Sequence, residues 1–331
     1  MTIREIAKLA GVSSAAVSRY FNNGYLSKDK RAAIKKVVDE TGYRPSLQAQ
    51  TLRTKKTRMI GVIIPKIDSS AIGSILTGIL SQTNKNGYQI LLAVTENNPA
   101  KELEYLTVFD DKRVDAVIFA ATVLTSSHKK ALKKMDIPVV IVGQKLSGFH
   151  CVYHDDYQAE YELTSNIIQK GRKRIGYLGA TRKDKAVGEE RYQGFCQASA
   201  DADMPELAGN SVISGFSIEA AYEKAGELFS QCPELDALIC ATDKMAIGAM
   251  RFLKETGKRI PQDVMVAGHG DSTLSLVCEP MLTTIHYYYE DSGAAAAKMV
   301  FDILDRDDAT IRELKLGYRL IARASTEEQA E

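Results

Sequence analysis

From Met59 onward, short runs of apolar, mostly β-branched residues alternate with stretches of helical period, and this alternation restricts the possible folds most. MIGVIIP, YQILLAV, DAVIFAA and PVVIVG read as parallel strands buried on both faces, separated by helices near 70–86, 100–112 and 127–134. A second series follows: strand CVYHDD, helix 157–170, strand RIGYLGA, helix 189–202, strand SVIS, helix 217–230, strand ALICA, helix 242–256 and strand VMVAG. LTTIHY adds a strand, and YYYEDSGAAAAKMVFDILD a helix that can return to the first series. Connections this short suit right-handed crossovers, so two doubly wound α/β units are expected, with a ligand cleft between the carboxyl ends of their sheets.

The first 22 residues follow different rules. Thr2 and Glu5 have the spacing of a capping box, in which each side chain satisfies the other residue's backbone N–H at a helix start. Ile3, Ile6, Ala7, Leu9 and Ala10 then give one apolar face, and Gly11 suits the left-handed backbone of a sharp stop. Ser13 caps a second helix with an apolar face of Val12, Ala16, Val17, Tyr20 and Phe21, leaving Ser14, Ala15, Ser18 and Arg19 opposite. Two short helices joined by a glycine turn form a helix-turn-helix, whose second helix enters the DNA major groove. The plain alternative is a helical hairpin that merely caps a larger domain.

Charge separates the two readings. Through Arg58 there are thirteen lysines and arginines against four acids, a charge of +9, which leaves −8 on the remainder. A basic head on an acidic body fits phosphate contacts confined to one end. Ser27 begins a third helix that runs to about residue 41 with Ile34, Val37 and Val38 inward, and Gly42 ends it. Pro45 and Ser46 can start two further turns to Leu52 or Arg53, too short to be stable in water without a partner. Arg53, Lys55, Lys56 and Arg58 suit a solvated linker that can also lie along phosphates.

The 331 residues suggest two or three globular units. No apolar run has the length of a membrane span and the capped polar start is unlike a secretion signal, so a cytoplasmic location is expected. Five scattered cysteines without a C-x-x-C pair indicate neither a disulfide framework nor a zinc site. His154, Asp155 and Asp156 lack a second ligand cluster, so no metal or cofactor is expected. Phosphate-loop, dinucleotide and nucleophile-elbow motifs are absent, which argues against an enzyme.

AGVSSAAVSR, YRPSLQAQTLRTKKT followed by IGVIIP, CATDKMAIGAM, PMLTTI and RAST together resemble the lactose/galactose repressor family of bacterial transcription regulators. Within it, IIPKIDS, VVIVGQ, CVYHDDYQA and KDKAVGEER are most similar to Gram-positive sucrose operon repressors, with trehalose operon repressors next. The resemblance implies an all-α helix-turn-helix head (1–45), a hinge helix and linker (46–58), and a body like that of periplasmic binding proteins. The body's two doubly wound parallel-sheet subdomains would comprise 59–153 with 288–316, and 154–287 with 317–331. It further implies a homodimer on operator DNA, contacted by Thr2, Ser13, Ser14, Ala15, Ala16, Ser18, Arg19, Asn22, Ser46, Ala49, Leu52 and Arg53. Arg19 can make a bidentate guanine contact whose loss costs about 1–3 kcal/mol, or act as a phosphate clamp. Leu52 stands where the family places an apolar wedge in the minor groove; its plain alternative is a linker residue packed on the body.

For the cleft the resemblance implies a sugar-binding set of Lys66, Ser69, Asn97, Gln144, Arg191, Thr242, Asp243, Asp271 and Tyr287. Arg191 matches the family's ligand-binding arginine, and Asp243 is expected first as a helix N-cap. Gly143 and Gly270 stand where sugar-binding relatives carry aspartates, so Lys66, Lys183, Lys185 and Arg191 could form a basic pocket. A phosphorylated disaccharide is therefore expected, sucrose 6-phosphate ahead of trehalose 6-phosphate, then free sucrose or fructose. The alternatives are a global catabolite regulator using a phosphocarrier protein partner, and a sugar-binding protein without DNA function.

Overall fold

The structure is a computed structural model that describes residues 1–43, 56–111, 113–306 and 310–327. The hinge segment with Ser46, Ala49, Leu52 and Arg53 lies outside the described residues. The chain divides into two compact units, Met1–Thr57 and Arg58–Glu331.

In the first unit, α1 (Ile3–Leu9) opens on the capping box: the Thr2 N–H donates to Glu5 Oε2 at 2.8 Å, and Thr2 Oγ1 accepts the Glu5 N–H at 3.4 Å. Gly11 takes φ +64°, where a Cβ would be strained, and the chain turns into α2 (Ser14–Phe21), capped by Ser13 Oγ on the Ala16 N–H at 3.2 Å. Helix α3 (Lys28–Thr41) ends at Gly42 in the left-handed conformation. Ser27 sits at its N-cap with extended backbone but no side-chain cap bond. Ile6, Val17 and Ile34, one from each helix, are fully buried. Each contributes about 1.5–3 kcal/mol by leaving water. Leu9, expected on this inner face, is instead 62% exposed at the last turn of α1.

The second unit contains two six-stranded sheets. The first has the order β11-β5-β4-β3-β1-β2, built from β1 (Met59–Ile64), β2 (Gln89–Val94), β3 (Ala116–Ala120), β4 (Val139–Val142), β5 (His150–His154) and β11 (Glu313–Leu316). The second has the order β12-β10-β9-β8-β6-β7, from β6 (Ile175–Gly179), β7 (Ser211–Ile213), β8 (Ala237–Cys240), β9 (Met265–His269), β10 (Thr283–Tyr287) and β12 (Tyr318–Ile321). Pairing is parallel except between β10 and β12. The central strands are buried along their length, as continuous apolar runs require. β2 departs from that expectation: it is an edge strand, and Leu91 and Leu92 are exposed.

Helices α4 (Ser70–Lys85), α5 (Pro99–Asp110) and α6 (Ser126–Leu132) belong to the first half; α7 (Asp156–Gln169), α8 (Arg191–Asp201), α9 (Ile218–Gln231), α10 (Asp243–Glu255) and the short α11 (Thr273–Val277) to the second. The chain passes between halves three times: from β5 to α7, from β10 to α12 (Tyr289–Arg306), and from β11 to β12. At these crossings the His154 ring lies 5.1 Å from that of Tyr287 and 5.3 Å from that of Tyr289. Helix α12 returns to the first half and packs on α4 backbone to backbone. A Cβ on Gly78 would lie 1.9 Å from the Glu290 carbonyl oxygen, and one on Gly293 2.0 Å from that of Ile75.

Candidate functional site

Helix α2 presents Ser14, Ala15 and Arg19 to solvent, with Ser18 half-buried. Ala16 is corrected: at 5% exposure it packs with Val17 in the head's core and offers no groove surface, because its position faces α1 and α3. Ser13 is committed as a helix cap and Thr2 to its capping box, although both remain exposed. Asn22 Nδ2 donates to the Ser18 carbonyl at 2.5 Å, which ties down the end of α2.

In the body, the second half's strand ends are dense with buried polar groups. Arg191, the first residue of α8, is 3% exposed and donates from Nε and Nη2 to Asp156 Oδ1 at 2.8 and 2.7 Å. Its Nη1 donates to the Ala241 carbonyl, and its guanidinium lies 4.9 Å from the centre of the Tyr287 ring. Such a doubly bonded, buried pair is already satisfied within the protein. Immediately before it, Lys185–Glu190 forms a π-helix, a wider coil that the sequence reading missed by starting an ordinary helix at 189.

Tyr287 is equally interior. Its hydroxyl meets His269 Nδ1 at 3.1 Å, His269 Nε2 meets Glu160 Oε2 at 2.8 Å, and Glu160 Oε1 accepts from Thr164 at 2.8 Å. Burial pushes the Glu160 carboxyl up to about 8 and the His269 imidazole well below its ordinary value. Both shifts favour the uncharged forms of the pair.

Thr242, not Asp243, is the N-cap of α10: its Oγ1 accepts the Met245 N–H at 3.2 Å. The Asp243 carboxylate instead accepts from the Ser272 N–H at 2.7 Å, Ser272 Oγ at 2.9 Å and Thr284 Oγ1 at 2.5 Å, with burial raising its pKa. Asp271 is likewise engaged, by Arg323 Nη2 at 2.6 Å and His286 Nδ1 at 2.8 Å. Burial pushes its carboxyl up, but those two donors hold it below its ordinary value. Asp271 thereby anchors the C-terminal segment through Arg323.

The first half contributes less. Lys66 and Asn97 are exposed, and Ser69 is the N-cap of α4, accepting the Ile72 N–H at 3.4 Å. Gln144 is buried, and its Nε2 crosses to the second half to donate to Asp184 Oδ1 at 2.7 Å. A second link, Lys244 Nζ to Asp68 at 3.4 Å, joins the halves at the surface and lowers the Asp68 pKa. Asp68, Asp156, Asp184 and Lys244 were not selected from sequence, since nothing local marks residues whose partners lie tens to hundreds of positions away.

Beside the Gln144 link a cavity of 250 Å³ is lined by Gln144, Ser147, Tyr153, His154, Lys185 and Glu190, among others. His154 is 5% exposed, its Nε2 has no hydrogen-bond partner, and burial lowers its pKa. The expected basic pocket is not assembled. Lys66 and Lys183 stand exposed, Arg191 is neutralised by Asp156, and of the four cations only Lys185 lines the cavity. Among the described residues no group of three or more His, Cys, Asp or Glu could hold a metal, and no helix is long and apolar enough to cross a membrane.

Two family models match the chain: bacterial regulatory proteins of the lacI family over residues 2–46, and periplasmic binding proteins and sugar binding domain of the LacI family over 57–324. The sucrose operon repressor of Staphylococcus xylosus is 34% identical over 295 residues, covering 89% of this chain and 91% of the relative. Among solved structures, a complex of the transcriptional regulator CelR with cellobiose has a TM-score of 0.76 at 25% identity, covering 98% and 99% of the two chains. The lac repressor dimer bound to operator and the anti-inducer ONPF has a TM-score of 0.90 at 20% identity, with the same coverage.

Proposed function

The chain belongs to the LacI family of bacterial regulatory proteins and is a DNA-binding regulator rather than an enzyme; from that premise we propose that it is a homodimeric repressor of a sugar-utilisation operon. A sugar or sugar phosphate in the cleft of the body releases it from its operator, with sucrose or sucrose 6-phosphate as the effector. The observation that carries the reading is a body whose halves are bridged at the strand ends by side-chain bonds, Gln144 on Asp184 and Lys244 on Asp68. A ligand entering there must rearrange those links, and its differential affinity for the two arrangements shifts their balance.

On the DNA side, Ser14 and Ala15 face base edges, Ser18 and Arg19 make base or phosphate contacts, and Leu52 wedges the minor groove at the operator's centre. A recognition face of serine and alanine has few hydrogen-bonding groups, so Arg19 and the spacing of two heads supply much of the specificity. In the cleft, Lys66, Asn97, Gln144 and Thr242 form the polar rim, while Arg191 and Tyr287 form its floor.

Fluorescence anisotropy with labelled operator DNA tests the reading. Sucrose or its 6-phosphate should lower affinity about 5- to 150-fold, the usual range for coupled sites. Operator affinity unchanged by both sugars, with each shown by calorimetry to be bound, would remove the proposed coupling.

A further inference from the structure

Among the described residues, six other than glycine take a positive φ, and Arg58, at +56°, is the one with which the second compact unit begins. Four of the other five are asparagine or aspartate, whose short polar side chains suit the left-handed region. Arginine has no such local reason to be there. A residue of that kind persists only where its surroundings over-determine it, and such residues gather at clamps and switches.

The surroundings of Arg58 do hold it. Its N–H donates to Asp115 Oδ2 at 3.0 Å, and its carbonyl accepts the Gln89 N–H at 3.0 Å. One residue on, the Met59 carbonyl accepts the Asp115 N–H at 2.8 Å. The entering chain is thus stitched to the starts of both neighbours of β1, with β2 on one side and β3 on the other. Tyr88, buried just before β2, bonds through its hydroxyl to the same Asp115 carboxylate. Burial and then that carboxylate push the hydroxyl up to about 12, so it remains a donor. Its ring packs on Phe301 of α12, with centroids 5.1 Å apart. Gly87 closes the turn beneath: at φ +67°, a Cβ there would lie 3.3 Å from Arg58 Nη1.

We propose that Arg58 is a positioning residue for DNA binding: its left-handed backbone, clasped by Asp115 and Gln89, fixes the direction in which the chain leaves the first half toward the helix-turn-helix. Through Tyr88 and Phe301 the clasp is tied to α12, the helix that comes from the chain crossings. That direction therefore turns with the first half instead of relaxing at a free joint. The assignment concerns DNA binding itself and holds whichever effector the body takes.

Arg58 also carries a charge, so the test compares variants that lose it equally. Asparagine accepts a positive φ, whereas valine, branched at Cβ, opposes it. The probes are a DNA duplex that the unmodified full chain selects from a randomised pool and an unrelated duplex of the same length, both read by anisotropy. Arg58→Val should bind the selected duplex about tenfold more weakly than Arg58→Asn, and the unrelated duplex equally well. Asp115→Ala, which removes the acceptor, should show a similar selective loss, and Asp115→Asn, which keeps an acceptor oxygen, should restore most of it. Thermal melts read the body's fold separately. Equal affinity of Arg58→Val and Arg58→Asn for the selected duplex would reduce the position to phosphate charge and overturn the proposal. So would variants that lower the melting temperature yet leave the ratio of selected to unrelated binding unchanged, since that is the mark of a merely structural clasp.

Discussion

The two halves of the body share a fold but treat their strand ends in opposite ways. Above the second sheet, Arg191, Asp156, Glu160, His269, Asp243 and Tyr287 are all buried and engaged with one another or with the backbone. Above the first, Lys66, Ser69 and Asn97 are exposed or half-exposed, and Gln144 is the buried member that reaches across. The second half is therefore a preassembled polar floor. The first is a lighter cover, joined to it by the three chain crossings and, at the strand ends, by the side-chain bonds of Gln144 and Lys244.

The contrast can be broken in order of expected effect. Asp156→Ala should destabilise the body by about 3–5 kcal/mol, because it leaves the Arg191 charge buried without its partner; urea denaturation measures this. A loss below 1 kcal/mol would mean that Arg191 reaches water and the floor is not preassembled. Gln144→Ala should cost about 1–3 kcal/mol by depriving the buried Asp184 of a donor, read by the same assay.

Acidity sharpens the comparison next. Glu160 has a folded pKa of about 8, far above the ordinary 4.5, so its contribution to stability is lost as pH rises from the unfolded value through the folded one. His269 acts in the opposite sense, since its lowered pKa lets the unfolded chain take up a proton below about 6.5. The two offset each other in mild acid, and Glu160 acts alone above that. Stability should thus fall by about 2 kcal/mol between about pH 6.5 and 8. Glu160→Gln, which can still donate to His269, should flatten that slope, and an unchanged slope would place the titration elsewhere. Smallest of all, Asp68→Ala should leave the urea midpoint essentially where it was, since its link to Lys244 is solvated on both sides.

Much of this architecture was legible in the sequence because its signals are local. Thr2, Glu5, Gly11 and Ser13 occupy the cap and turn positions that their chemistry suits, and buried parallel strands read as unbroken apolar runs. What escaped detection depends on distant contacts. β11, with the sequence ELKL, is mostly exposed and offers no apolar run, while β12, YRLI, is only four residues long. The widened coil before Arg191 has no compositional mark. Ala16 fitted both faces of α2 on paper, and only packing against Ile6 and Ile34 decides between them. At the candidate site, residue types were readable but pairings were not: Arg191 with Asp156 is 35 positions apart and Gln144 with Asp184 is 40.

The three chain crossings, gathered around the rings of His154, Tyr287 and Tyr289, have a mechanical consequence. One connecting strand would let the halves twist, slide and swing; three side by side act as a door hinge does. Sliding would have to stretch covalent chain, whereas swinging only turns dihedrals and rolls ring on ring. With α12 locked to α4 through Gly78 and Gly293, the first half moves as one leaf. A bound molecule then has a single coordinate to set, the angle of that leaf.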